Sequence, residues 1–143
     1  MSLPSHITRE QLLRLVPHAG AMCLLDSVVE FGRDDIVCET ATHRDPANPL
    51  RRNETLSAIH LPEYAAQAMA AHGALRADGV VQCGMLAALR DVRLYVQHVQ
   101  DIPGKLTVRA RRRLTRKEGA LYDFSVSGDG ALLCEGRIAI ALS

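Results

Sequence analysis

The sequence contains no tryptophan and only five aromatic residues in 143 positions, two Phe and three Tyr. Proteins that bind single-stranded nucleic acid stack successive bases on exposed rings, and a chain this poor in rings argues against that class. A charge excess of one sign is also missing. Seventeen Lys plus Arg stand against sixteen Asp plus Glu, a formal net charge of +1, so nothing global draws the chain to nucleic acid or to an anionic membrane. Cys23, Cys38, Cys83 and Cys134 form no Cys-x-x-Cys pair and no zinc-finger spacing, which points to reduced, buried thiols and to no metal site. No run approaches the roughly 18 apolar residues of a membrane span, and residues 1–6 lack the charged and apolar regions of a secretory signal. The expectation is a soluble, cytoplasmic protein without membrane contact. Its length suits one domain over residues 1–143, enough to bury about two thirds of the unfolded surface without a cofactor or a staple.

Residues 8–15 predict a short amphipathic helix with Leu12, Leu13 and Leu15 on one side, Thr8 as cap and Gln11 completing a capping box. An apolar, β-branched stretch over 22–31 and a second over 36–42, separated by Gly32-Arg33-Asp34-Asp35, predict a hairpin. Residues 43–61 read as a loop long enough to be functional or mobile. Residues 62–75 predict a helix: Pro62 suits its first position, Glu63 its first turn, and six of the eleven residues 64–74 are Ala. With small residues on almost every side, that helix is expected at the centre of the molecule. The rest alternates as strands. Val92, Leu94 and Val96 share one parity; Leu106, Val108, Ala110 and Leu114 another, opposite Arg109, Arg111 and Arg113, with Arg112 the exception. Tyr122, Phe124 and Val126 lead into a turn at 127–130, and Cys134, Ile138, Ile140 and Leu142 return. The fold class is α+β, a long central helix wrapped by a curved antiparallel sheet, the shape of a hot-dog fold.

Two motifs carry a resemblance. Pro17-His18-Ala19-Gly20-Ala21-Met22-Cys23-Leu24-Leu25-Asp26 resembles the opening of β-hydroxyacyl-acyl carrier protein dehydratases of the FabZ and FabA type, with His and Asp eight apart. Glu63-Tyr64-Ala65-Ala66-Gln67 resembles the Glu-x-x-Ala-Gln that opens their central helix. Gly84-Met85-Leu86 and Ile102-Pro103-Gly104-Lys105-Leu106 continue the likeness across nearly the whole chain. The His-Phe-Pro-Gly run of the housekeeping enzymes is replaced here by His43-Arg44-Asp45-Pro46-Ala47-Asn48-Pro49. In that respect the chain is similar to the ApeP-like dehydratases of aryl-polyene pigment clusters. The resemblance implies dehydration of a 3-hydroxyacyl group on an acyl carrier protein to the trans-2-enoyl product, in fatty-acid or polyene-type lipid biosynthesis. It implies no cofactor beyond the carrier's phosphopantetheine. It also implies a homodimer or larger even oligomer, or a heterodimer with another hot-dog dehydratase.

Eliminating water from such a thioester requires a base for the α-proton and an acid for the departing hydroxyl. An imidazole serves at neutral pH, and a carboxyl serves when a dry pocket keeps it protonated. His18 is the expected base and Glu63 the expected acid; by resemblance, His18 of one subunit faces Glu63 of the other. Gly84 and the amides that open the central helix are expected to stabilise the enolate-like oxygen. Asp26 and Gln67 are expected to orient rather than react. Arg51, Arg52, Arg111 and Arg113 are candidates for docking the acidic carrier, although a solvated strand face also explains the last two. His72 and His60 are expected to be structural. Two other readings fit the sequence: a non-catalytic partner of an active homologue, and a hot-dog acyl thioesterase.

Overall fold

The computed structural model describes residues 6–15, 22–76 and 84–142. The first helix, α1 (Arg9–Leu15), starts with the predicted reciprocal cap. The Gln11 N–H donates to Thr8 Oγ1 at 3.3 Å, and the Thr8 N–H donates to Gln11 Oε1 at 2.9 Å. The apolar stripe is narrower than expected. Leu12 is buried, but Leu13, about 100° further round so short a helix, is 38% exposed.

Strands β1 (Ser27–Phe31) and β2 (Asp35–Thr40) form the expected hairpin. Residues 22–26 were expected to be part of the first strand, yet β1 begins only at Ser27. The reason is that the peptide groups at Met22, Leu24 and Leu25 are bonded by side chains, as described below, and only the Asp26 N–H bonds the backbone of β2, at Glu39 O. Helix α2 (Leu61–Arg76) follows, preceded without a break by a 3-10 turn at Ala58–His60, in which Ser57 Oγ accepts the Ile59 N–H. Its Ala65, Ala68, Ala71 and Ala74 are all buried, and the helix packs against β2 and the later strands β4 (Leu106–Arg116), β5 (Gly119–Gly128) and β6 (Ala131–Leu142). Small side chains let its backbone approach a curved sheet on several sides.

Strand β3 (Gly84–Leu94) comes directly before β4 in sequence but lies at the far edge of the sheet, whose order is β1-β2-β4-β5-β6-β3, antiparallel throughout. The core between helix and sheet is filled by Leu24, Leu56, Leu61, Tyr64, Met69, Val108 and Ile138, among others. Its curvature comes from bulges. In β3 the pairing slips between Arg90 and Arg93, with Asp91 at φ 54°. Opposite the slip, a Cβ on Gly136 would lie 3.0 Å from the Val92 backbone and the Phe124 ring, so any larger residue would push these neighbours aside.

In β4 the pairing slips between Arg112 and Leu114. Leu106, Val108 and Ala110 are buried as their parity predicts, but Leu114 lies beyond the slip and is 47% exposed, which corrects its assignment to the core face. The slip also accounts for the one arginine out of step: Arg112 turns to Arg33 O and Asp34 in the β1–β2 turn. Likewise, Val96 falls beyond the end of β3. The β5–β6 turn is as expected, with Asp129 and Gly130 both at positive φ, the geometry of a two-residue hairpin.

His72, fully buried on α2, holds the helix to the sheet. Its Nε2 faces Gly32 O at 3.0 Å and its Nδ1 faces Tyr122 Oη at 2.7 Å. A carbonyl only accepts, so Nε2 carries the proton and the tyrosine hydroxyl donates to Nδ1. This is the structural role expected for it.

Candidate active site

Glu63 stands in the first turn of α2, half-buried. One turn along, Gln67 is fully buried and reaches across to the segment that follows His18. Its Oε1 accepts the Leu24 N–H at 2.8 Å, and its Nε2 donates to Met22 O at 2.7 Å. Gln67 therefore ties the helix that carries Glu63 to the chain four residues beyond His18. His18 itself lies outside the described residues, so the separation of the two expected proton carriers is not part of this geometry.

The Leu24 carbonyl is held as firmly as its N–H. The hydroxyls of Thr40 and Thr42 both reach it, at 2.5 and 2.6 Å. Next to it, Arg9 donates to Leu25 O at 2.8 Å. Asp26 accepts from the Ala41 N–H at 2.7 Å and pairs with Arg9 at 3.3 Å, so it fixes the end of β2 and the α1 face. Of the two residues singled out as orienters, Gln67 thus binds the backbone of Met22 and Leu24, and Asp26 that of Ala41.

Gly84 opens β3 opposite Leu142. Of the amides expected to surround an oxyanion at the start of α2, that of Leu61 is spent on Ala58 O and Pro62 has none. His60 ends the 3-10 turn rather than lying in a free loop.

The loop after β2 is built, not slack. A 3-10 turn spans Thr42–Arg44, and Arg52 and Thr55 pair across a tight turn in which Asn53 and Glu54 both have positive φ. Arg51 donates to Arg44 O and Glu54 O, and Arg52 to Pro49 O and its neighbour's carbonyl. These guanidinium groups hold the loop's shape as well as carrying charge. On the sheet's outer face, Arg111 is paired across the strands with Asp35 on one side and Asp123 on the other, and Arg113 lies 3.4 Å from Asp123. Acids offset much of that arginine row.

Sequence reasoning missed Tyr64, Asn48, Thr42 and His43. Tyr64 Oη, fully buried, lies 2.9 Å from Asn48 Nδ2 and 3.3 Å from Thr42 Oγ1, and burial pushes its phenol up. A signal was present: a tyrosine in an alanine-rich helix buries a hydroxyl that needs a partner. The thiols of Cys23, Cys38 and Cys134 are free and buried. Burial raises all three, Cys38 to about 12 and Cys134 to about 11, so they stay protonated and are poor nucleophiles. Cys83 lies outside the described residues.

His43 is fully buried with Nε2 on Ile102 O at 2.9 Å. Burial, reinforced by Arg44, lowers its pKa from 6.5, against the opposing pull of that carbonyl and of Asp26. The unfolded chain therefore takes up a proton as pH falls through 6.5, while the folded chain resists it until lower pH. Between those points stability drops with pH, by at most about 1.4 kcal/mol per unit. Urea midpoints measured from pH 7.5 to 5 should fall less steeply for His43→Gln than for the parent; parallel curves would count against this assignment.

The family model described as ApeP-like, ApeP dehydratase, matches residues 10–142. The chain belongs to that family. Family membership supports activity of the hydro-lyase kind, and the architecture is a hot-dog fold. Among solved structures, the dehydratase heterocomplex ApeI:P from Xenorhabdus doucetiae is similar with a TM-score of 0.81 at 22% identity, over 92% of this chain and 90% of that one. A thioesterase from Haemophilus influenzae has a TM-score of 0.68 at 16% identity, over 96% and 91% of the two chains. A mutant thioesterase from Pseudomonas aeruginosa has 0.65 at 16%, over 94% and 92%. These likenesses show the fold. No curated protein matches the sequence. Among the described residues of this ApeP-like chain, no helix is long and apolar enough to cross a membrane.

Proposed function

We propose that the protein removes water from a 3-hydroxyacyl thioester carried on an acyl carrier protein, leaving a trans-2-enoyl thioester. The observation that carries this reading is the Gln67 clamp, which joins the Glu63-bearing helix to the segment following His18. His18 takes the proton from the α-carbon. The electron pair moves through an enolate-like state whose oxygen is met by the amides of the first turn of α2 and of Gly84. Glu63 gives its proton to the β-hydroxyl, which departs as water. The net change is loss of one water molecule, and transfer of a proton from His18 back to Glu63 restores the enzyme.

Assembly follows from the sheet edges. The outer side of β1 is already bridged by Ile7, whose N–H and carbonyl both bond Val28. The eleven-residue β3 has no further strand beside it among the described residues. Next to β3, Ile59, Leu94 and Tyr95 are 64%, 40% and 49% exposed around a groove of about 440 Å³ at the start of α2. An open edge with apolar residues beside it favours pairing with a second hot-dog subunit. That subunit would cover the half-buried Glu63 and supply the partner's share of the site. A heterodimer with a related dehydratase is the second reading, supported by the likeness to a chain solved in a dehydratase heterocomplex. Arg51, Arg52, Arg111 and Arg113 remain the proposed docking residues for the carrier, the first two more strongly because acids flank the others.

The test is an assay of the purified protein with 3-hydroxyacyl-pantetheine and carrier-bound substrate, following enoyl formation and free thiol separately. Enoyl product from the protein alone supports the homodimeric enzyme, and product only after adding a related dehydratase supports the heterodimer. Thiol release without enoyl product would replace both with thioester hydrolysis.

A further inference from the structure

Asn48, Tyr64 and Thr42 form a connected chain of hydrogen bonds. The Asn48 amide is oriented by partners on both of its atoms: Oδ1 accepts the Leu50 N–H at 2.9 Å, and Nδ2 donates to Thr42 O at 2.9 Å. Its second N–H therefore points to Tyr64 Oη, also at 2.9 Å. Thr42 Oγ1 has one proton and three oxygen neighbours, Leu24 O at 2.6 Å, Thr40 Oγ1 at 2.9 Å and Tyr64 Oη at 3.3 Å. Asn48, Tyr64, Thr42 and the Leu24 carbonyl are thus joined in one continuous buried network, in which neighbouring hydrogen bonds polarise one another.

The ends of this chain are informative. Tyr64 is the residue after Glu63. Leu24 lies six residues beyond His18, and both its peptide groups are held by side chains, the carbonyl by Thr40 and Thr42 and the N–H by Gln67. Asn48 lies in the segment that replaces the His-Phe-Pro-Gly run of the housekeeping dehydratases. We propose that Asn48, Tyr64 and Thr42 act as positioning residues, with the segment around Asn48 setting where Glu63 and the His18-bearing stretch emerge from each protomer. Tyr64 Oη is fully buried, so the unit acts through its neighbours and not on substrate.

The kinetic part of this inference rests on the dehydration reading; a thiol readout does not. Cys23 adjoins Leu24 and is buried, whereas Cys134 is buried in β6. The experiment compares Tyr64→Phe, Thr42→Val and Thr42→Ser with the parent, in turnover of 3-hydroxyacyl-pantetheine and in labelling of each cysteine by N-ethylmaleimide, read by peptide mass spectrometry. Tyr64→Phe and Thr42→Val should lower kcat about tenfold with KM nearly unchanged, and should speed Cys23 labelling about tenfold while Cys134 stays within about twofold. Thr42→Ser, which keeps the hydroxyl, should restore most of both. Unchanged Cys23 labelling, or equal acceleration at Cys23 and Cys134, would overturn the proposal, the second because it reports general loosening. So would altered Cys23 labelling with kcat unchanged in an active parent. Should the parent prove inactive as a dehydratase, that reading fails separately and the labelling alone decides the anchoring of the segment.

Discussion

On the proposed mechanism, Glu63→Gln lowers turnover of a 3-hydroxyacyl thioester by about two to four orders of magnitude, and His18→Ala does the same, because each would remove one of two proton transfers that a positioned side chain speeds by roughly 10² to 10⁴. Glutamine has nearly the size and shape of glutamate, so α2 and its packing are retained while the transferable proton is lost. The two substitutions together should cost little more than either alone, since groups acting as one unit are not additive. Mixing the two variants tests where the halves of the site come from. If His18 and Glu63 meet across a two-fold interface, a mixed dimer has one site with both defects and one with neither, and equal mixing with free exchange restores about a quarter of the parent rate. If both belong to one protomer, mixing restores nothing. Parent-like turnover in both single variants would remove the mechanism.

The second large effect is expected at Gln67. Gln67→Leu is nearly isosteric but leaves the Leu24 N–H and the Met22 carbonyl without their partner inside the protein. Each such orphaned group costs about 1–3 kcal/mol, so a loss near 2–4 kcal/mol is expected in urea unfolding. Turnover should fall as well, by about tenfold or more under conditions where the variant is fully folded, because a one-ångström shift of a reacting group is costly. Gln67→Glu keeps the acceptor for Leu24 and loses the donor to Met22, and its stability should lie between the two. A Gln67→Leu variant as stable as the parent would show that the clamp contributes nothing.

The two effects differ in kind. Losing Glu63 removes a chemical group from a folded enzyme. Losing Gln67 loosens the link between α2 and the backbone at Met22 and Leu24, and stability and rate should move together.

What could be read in the sequence depended on how local its cause was. α2 was legible because Pro62, Glu63 and the alanines act within a few residues of themselves. The β5–β6 turn was legible because Asp129 and Gly130 are suited to positive φ. The late start of β1 was not, because the groups that take over from the strand ladder at residues 22–24 come from Gln67, Thr40 and Thr42. Leu114 was misassigned because the slip opposite Tyr122 and Leu121 belongs to a pair of strands, and neither strand shows it alone. The irregular Arg112 was its one trace. At the site, Gln67 and Asp26 were singled out through the dehydratase-like motifs they complete with Glu63 and His18, while Asn48 and Thr42 were not, lying 16 and 22 positions from the tyrosine they bond.

By itself the order of residues determined the central helix and the run of antiparallel strands and supplied candidates for moving protons, since propensity, alternation and acid–base chemistry are properties of side chains and near neighbours. Only the tertiary structure decided where β3 lies in the sheet, which peptide groups Gln67 and the threonines hold, and that Tyr64 joins the loop at Asn48 to Leu24. Those are contacts between distant segments, and they form because a buried donor or acceptor must find its partner wherever the fold brings one.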